Sequence, residues 1–117
     1  MQLLIVEGNR QMRRLIRSIL ARVTNQIHEC TDAQGAPEAY ARWRPDYVLM
    51  DVDIAPANGI AATFKIKESD PNAKIVILSG DNSPELRQAV SQAGAWEFVK
   101  KENLLGLIRI LGPSDSR

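Results

Sequence analysis

The sequence predicts an α/β domain built on a parallel sheet with helices on both faces. Three observations carry that prediction. Short, wholly apolar runs recur at Leu3–Val6, Tyr47–Met50 and Ile75–Leu78, and a run without a polar face suits a strand covered on both sides. Segments with helical apolar spacing stand between these runs. Strand and helix thus alternate five times, which calls for a sheet wound on both faces. At 117 residues the chain makes one domain, expected over 1–112, with a polar tail over 113–117.

The first run ends in Glu7-Gly8-Asn9, a strand exit with Asn9 as the expected helix N-cap. Met12, Leu15, Ile16, Ile19, Leu20 and Val23 then share one helical face, with Arg10, Arg13, Arg14 and Arg17 opposite them. A basic face of this kind is expected to be solvated. Gln26–Cys30 alternates weakly and reads as the second strand. His28 within it has no Cys, His or Asp at metal-ligand spacing. Cys30 has no visible base beside it and is expected to be a small buried apolar residue. Ala36, Ala39, Tyr40 and Trp43 form the stripe of a short helix with Pro37 at its start. Arg44-Pro45-Asp46 breaks that helix, and Trp43 reads as packing.

Tyr47–Met50 then leads into Asp51, followed by Val52, Asp53 and a loop containing Pro56, Asn58 and Gly59. Taken alone, Asp51 could equally be a turn cap. Ile60, Thr63, Phe64 and Lys67 suggest a third helix, ended by Asp70-Pro71-Asn72. Ile75–Leu78 is the fourth strand, and Ser79-Gly80-Asp81 leaves its end. Ser83-Pro84-Glu85 is a strong helix start, Leu86, Ala89, Val90 and Ala93 give the core face, and Gly94 is the natural stop. Trp96 to Val99 reads as the last strand, followed by Lys100-Lys101-Glu102. Asn103 is expected to cap a final helix through Leu111, closed by Gly112-Pro113. In that helix Leu104, Leu107, Ile108 and Leu111 suffice to cover the sheet, while Leu105 and Ile110 add apolar flanks.

Composition narrows the function. A net charge of +1 argues against an overall nucleic-acid or membrane footprint. One cysteine excludes an internal disulfide and fits a reducing compartment. The N-terminus lacks the flanks of a signal peptide, and no apolar run nears membrane-spanning length. The expected location is the cytoplasm.

In a wound parallel sheet all strand carboxyl ends meet at one edge. The groups delivered there are Glu7, Asp51, Asp53, Ser79 and Lys101 (or Lys100). Clustered carboxylates repel and favour a divalent cation, and oxygen ligands without histidine point to magnesium. An ammonium and a hydroxyl beside them suit the charge and oxygens of a phosphoryl group. A carboxylate can itself be the acceptor, so the chemistry implied is phosphoryl transfer onto Asp51.

Taken together, these stretches resemble a response-regulator receiver domain of two-component signalling over essentially the whole chain. The likeness rests on Leu3-Leu4-Ile5-Val6-Glu7, Pro45-Asp46-Tyr47-Val48-Leu49-Met50-Asp51 and the spacing from Asp51 to Gly59. It continues through Ile75-Val76-Ile77-Leu78-Ser79-Gly80 and Gly94-Ala95-Trp96-Glu97-Phe98-Val99-Lys100-Lys101. The resemblance implies a flavodoxin-like five-stranded sheet in the order 2-1-3-4-5. It makes Asp51 the phosphoacceptor, Glu7 the acid beside Mg2+, and Ser79 and Phe98 the switch pair. Lys101, seven residues after Gly94, becomes the ion-pairing lysine, with Lys100 turned away. Asp53 would offer its backbone carbonyl to the metal. A histidine kinase or phosphotransfer protein would donate. The helix 4–strand 5–helix 5 face would bind a downstream target or a second copy.

The chain departs from the family pattern at three places. Gly8 stands where the family usually carries a second acid, commonly the direct metal ligand, so magnesium binding should be weak. Proline is displaced to Pro56, with Ala55 in its usual place, and Glu102 follows Lys101 where many relatives have proline. Gly8 supports an alternative, a receiver-like module that binds proteins without phosphorylation. A third reading takes Asp51-Val52-Asp53 as the Asp-x-Asp of a phosphatase, in which the second acid protonates the leaving group. That motif belongs at the start of a longer, capped chain. The expected activity is therefore a relay acceptor rather than an enzyme.

Overall fold

The computed structural model describes residues 1–112, so the tail expected over 113–117 lies outside the described residues. The elements run β1 (Gln2–Val6), α1 (Arg10–Leu20), β2 (Gln26–Cys30), α2 (Ala36–Trp43), β3 (Tyr47–Asp51) and α3 (Pro56–Ser69). They continue as β4 (Ile75–Ser79), α4 (Pro84–Gln92), β5 (Glu97–Lys100) and α5 (Gly106–Leu111), with short 3-10 turns at Ala33–Gly35 and Lys101–Asn103. The strands form one sheet in the order β2-β1-β3-β4-β5, and every neighbouring pair is parallel.

The apolar runs are explained by the two faces they serve. Leu4, Val6, Val48, Met50, Ile75 and Ile77 point to one side, against Ala36 and Tyr40 of α2, Ala62 and Ile66 of α3, and Leu86 and Val90 of α4. Leu3, Ile5, Leu49, Val76, Leu78 and Val99 point to the other, against Ile16 and Leu20 of α1 and Leu107 and Leu111 of α5. Successive side chains alternate between the faces, so a strand covered twice needs no polar position. Each large side chain fully buried here contributes about 1.5–3 kcal/mol before entropy is charged against it.

Two glycines are required by geometry. Gly94 ends the α4 turn at φ 105°, in the left-handed region, and a Cβ there would lie 2.9 Å from Lys67 Cγ. A Cβ at Gly59 would meet Val52 Cγ1 at 2.5 Å, so the missing side chain lets α3 settle on the end of β3.

Several expectations need correction. Pro56, Asn58 and Gly59 belong to α3, which begins at Pro56 with the ring at its first position. β5 spans Glu97–Lys100, one residue later than the apolar run suggested. Asn103 does not cap the last helix: it sits in the preceding 3-10 turn, and α5 starts after Leu105 with no side-chain cap. Leu15 is exposed rather than core, because α1 buries a narrower stripe than the sequence pattern drew. Val23 lies past the end of α1 and still packs on the core. Ile110 also packs on the core, whereas Leu105 is exposed. Cys30 is only half-buried, with its thiol donating to Asp32 O at 3.0 Å.

The basic face of α1 is only partly solvated. Arg13 has just 16% of its side chain exposed and lies 3.3 Å from Glu29, and Arg17 pairs with the same acid at 2.8 Å. Glu29 on the edge strand β2 supplies the anion that the helix pattern could not show. His28 stacks on Trp43 at 3.8 Å between ring centroids and contacts Gln2, so both residues pack at the sheet edge.

Candidate functional site

The segments that follow β1, β3, β4 and β5 bring the candidate side chains together at the carboxyl edge of the sheet. Glu7 follows β1 and is buried, its backbone N–H donating to Cys30 O at 3.0 Å. Its Oε2 accepts from Asn9 N at 2.9 Å, while Oε1 is buried without a hydrogen-bond partner. Asn9 does cap α1, accepting from Met12 N at 2.8 Å. Asp51 closes β3 with its side chain 5% exposed, and its Oδ1 accepts from Asp53 N at 3.0 Å.

Lys101 enters from the turn after β5. Its Nζ lies 2.9 Å from Asp51 Oδ1, 2.9 Å from Asp53 Oδ2 and 3.6 Å from Glu7 Oε1. Lys100 turns outward to Glu102 at 3.2 Å. The count from Gly94 therefore selects the lysine that faces the acids. Ser79 is fully buried at the end of β4, in register with Lys100. Phe98 on β5 is half-buried against the core, with the Arg87 guanidinium 4.3 Å from its ring centroid.

Asp53 brings its charge to the site, with its carboxylate turned toward Lys101. Oδ1 accepts from Ser79 Oγ at 2.6 Å, and both oxygens accept from Gly80 N, at 3.0 and 2.9 Å. Together with Lys101, three donors converge on this one group.

Two further contributors escaped the sequence reading. The Gly80 amide is a backbone donor and leaves no side-chain signature. Arg13 donates from Nη1 to Glu7 O at 3.0 Å and to Gly8 O at 3.4 Å, which fixes the β1–α1 loop. Its position three residues into a helix beside Glu7-Gly8 was the available signal.

The electrostatics follow from this crowding. Burial pushes the Glu7 carboxyl above its ordinary value; the Asn9 amide works against this and nearby Asp51 adds to it. Burial also opposes ionisation of Asp53, but the Ser79 hydroxyl, Lys101 and the Gly80 amide outweigh it and hold that carboxyl below the usual range. Burial alone would lower Lys101, yet the hydrogen bonds to Asp51 and Asp53 raise it.

The acids suit a hard divalent cation. Three carboxylates face one ammonium, and Glu7 Oε1, at 3.6 Å from it, is buried without a hydrogen-bond partner. Among the described residues no three acids, histidines or cysteines are grouped to hold a metal by themselves. Water or a phosphoryl oxygen would have to complete the shell, as magnesium prefers. A cavity of about 100 Å³ beside Glu7, Gly8, Asp51 and Asn58 gives room for such water.

Comparison with known proteins fits this arrangement. The chain is 33% identical over 101 residues to the chemotaxis protein CheY of Thermotoga maritima, covering 86% of this chain and 84% of that protein. It is 33% identical over 100 residues to CheY of Halobacterium salinarum, covering 86% and 83%. A two-component response regulator of the LuxR family from Aurantimonas sp. SI85-9A1 superposes with a TM-score of 0.82 at 26% identity, over 92% of this chain and 79% of that one. Residues 3–109 match the family described as response regulator receiver domain, and with the wound sheet and the acid–lysine edge in place, the chain belongs to that family.

Proposed function

We propose that the protein accepts a phosphoryl group on Asp51 from a histidine kinase or a phosphotransfer protein and converts it into a change on a protein-binding face. Receiver domains are signalling modules of two-component systems, and the family typically uses Mg2+ at its acidic pocket. The observation that carries the reading for this chain is the Asp51 carboxylate 2.9 Å from the Lys101 ammonium, with Glu7 Oε1 3.6 Å from the same ammonium.

In the transfer, an Asp51 carboxylate oxygen attacks phosphorus while the bond from phosphorus to the donor imidazole nitrogen breaks. The imidazole leaves with the bonding electron pair. Lys101 is placed to neutralise the equatorial oxygens, and Ser79 to donate a hydrogen bond once its present acceptor moves. Glu7, Asp51 and the Asp53 backbone carbonyl would hold magnesium, which when bound supplies charge neutralisation at the phosphoryl oxygens. The test is mass spectrometry after incubation with a small acyl phosphate and magnesium. A phosphoryl adduct that disappears in Asp51→Asn supports the reading; an unmodified wild-type protein refutes it.

Output runs through the face of α4, β5 and α5. Phe98 lies there under Arg87, and Leu105 is 63% exposed. This face would meet a downstream protein or a second copy of the chain. Light scattering that finds a monomer with and without a phosphoryl mimic would remove self-association. The domain over 1–112 would work in the cytoplasm; among the described residues no helix is long and apolar enough to cross a membrane.

A second reading, protein binding without phosphorylation, is favoured by Gly8 and by the internal engagement of Ser79 and Lys101. The phosphatase alternative loses support from Asp53, because a carboxyl held below the usual range is a poor general acid.

A further inference from the structure

The carboxylate of Asp53 sits among the groups that a phosphoryl oxygen on Asp51 would need. The Ser79 hydroxyl, the Gly80 amide and the Lys101 ammonium come from β4, its following loop and the turn after β5, and all three point at Asp53. We infer that Asp53 is an internal anion that occupies the phosphoryl-binding groups, so that phosphorylation of Asp51 requires its side chain to swing out. This rests on the receiver reading above and concerns the control of that same site.

Charge and geometry carry the inference. Ser79 is fully buried, and it has turned its hydroxyl to the nearest carboxylate instead of waiting for an anion. Ser79 Oγ also accepts from Asp81 N at 2.9 Å, so its proton is committed to Asp53. The Lys101 ammonium is divided between the acceptor Asp51 and the occupant Asp53 at equal distances of 2.9 Å. An arriving phosphoryl group is doubly charged, and a carboxylate fixed on the same donors repels it.

Asp53 also has somewhere to go. Its side chain is 28% exposed, against 5% for Asp51 and 1% for Glu7. Neighbouring Ile54 is 78% exposed, and Ala55, the N-cap of α3, gives that helix no side-chain cap. The backbone is held by Val52 N donating to Leu78 O and Asp53 N to Asp51 Oδ1, so what ties the Asp53 side chain itself is its own carboxylate contacts. Because Ser79 is already drawn to an anion, part of the switch response is set before any phosphoryl group arrives.

The experiment compares wild type, Asp53→Asn and Asp53→Ala in two ways. Phosphorylation of Asp51 by a small acyl phosphate with magnesium is followed by mass spectrometry. The phosphorus–oxygen bond to the acyl group breaks as the bond to Asp51 forms, and the donor leaves as a carboxylate. Both variants are expected to react about tenfold faster, the equivalent of one charge-assisted contact removed. Amide and aromatic NMR resonances of Ser79, Gly80 and Phe98 are recorded with and without beryllofluoride and magnesium. Gly80 and Phe98 are expected to move little in the wild type and far more in Asp53→Ala. Unchanged rates together with equal beryllofluoride shifts in all three proteins overturn the inference. Should Asp51 accept no phosphoryl group in any of them, the receiver reading fails. The inference is then decided by NMR without ligand: Phe98 and Ser79 moving in Asp53→Ala but not in Asp53→Asn, whose carbonyl keeps the neutral hydrogen bonds, upholds an occupied donor set, and no movement in either refutes it.

Discussion

The Lys101 ammonium stands 2.9 Å from Asp51 Oδ1, and it does so with Glu102, not proline, as the following residue. A 3-10 turn over Lys101–Asn103 sets the side chain across the sheet edge. β5 carries Lys100 opposite Ser79, so the next residue is the first free to point over the strand ends. Proximity to three carboxylates then holds it there.

Replacing this lysine should therefore cost both stability and chemistry. Lys101→Met is expected to lower unfolding free energy by about 2 kcal/mol, since the Glu7 and Asp51 carboxylates beside it stay buried. Phosphoryl uptake on Asp51 should fall by about a hundredfold. Lys100→Met should stay within about 0.5 kcal/mol of wild type. Urea titration and adduct mass read both; equal effects at the two positions would contradict the assignment.

Restoring an acid at position 8 should strengthen metal binding. A Cβ on Gly8 would lie 3.0 Å from Thr31 O, so that carbonyl must give by a few tenths of an ångström. Gly8→Asp is expected to cost about 1 kcal/mol in the metal-free protein. It should also tighten the magnesium dissociation constant by about tenfold. Calorimetric titration with magnesium chloride checks the second figure. Weaker binding in the variant would mean that Gly8 does not adjoin the cation.

Arg13 should matter more than its neighbours on α1. Arg13→Ala loses contacts to Glu7 O, Gly8 O and Glu29, and about 1–2 kcal/mol of stability is expected to go with them. Arg14→Ala should change stability by less than about 0.5 kcal/mol. A double-mutant cycle of Arg13 with Glu29 should give a coupling of about 0.5–1 kcal/mol, and a coupling near zero would show the pair to be idle.

The pH response of stability should carry the mark of Tyr40 and Asp70. The Tyr40 hydroxyl donates to Asp70 Oδ2 at 2.6 Å. That hydrogen bond, with the Asn72 amide next, holds the Asp70 carboxyl below its ordinary value. Burial and the same acid push the Tyr40 phenol up to about 12. Asp70 thus contributes stability above the ordinary carboxylate value and loses it as pH falls through the lower folded value. Tyr40 contributes below the ordinary phenol value and loses it as pH rises through about 12. Tyr40→Phe should flatten the stability profile at both ends; a profile parallel to wild type would exclude the pair as its source.

Most of the architecture was legible in local pattern. Leu3–Val6, Val48–Met50 and Ile75–Leu78 are wholly apolar because each strand is covered twice, and that demand is written residue by residue. The caps at Asn9 and Ser83 work as read, since a cap bonds only to its own helix. Asn103 had the same signal and failed, because the chain first makes the turn that delivers Lys101.

By itself, then, the sequence determined the wound parallel sheet and the acids and lysines that its strand ends deliver, while the resemblance to receiver domains supplied the count that selects Lys101 over Lys100. Only the tertiary structure decided where those side chains point. Asp53 meets Ser79 across 26 positions of chain, and Arg17, like Arg13, meets Glu29 from a different element, 12 positions away. The physical reason is that apolar periodicity records which face of an element is buried, a property of neighbours in the chain. The direction of a polar side chain is instead set by the nearest unsatisfied donor or charge, which another strand or helix brings in only on folding.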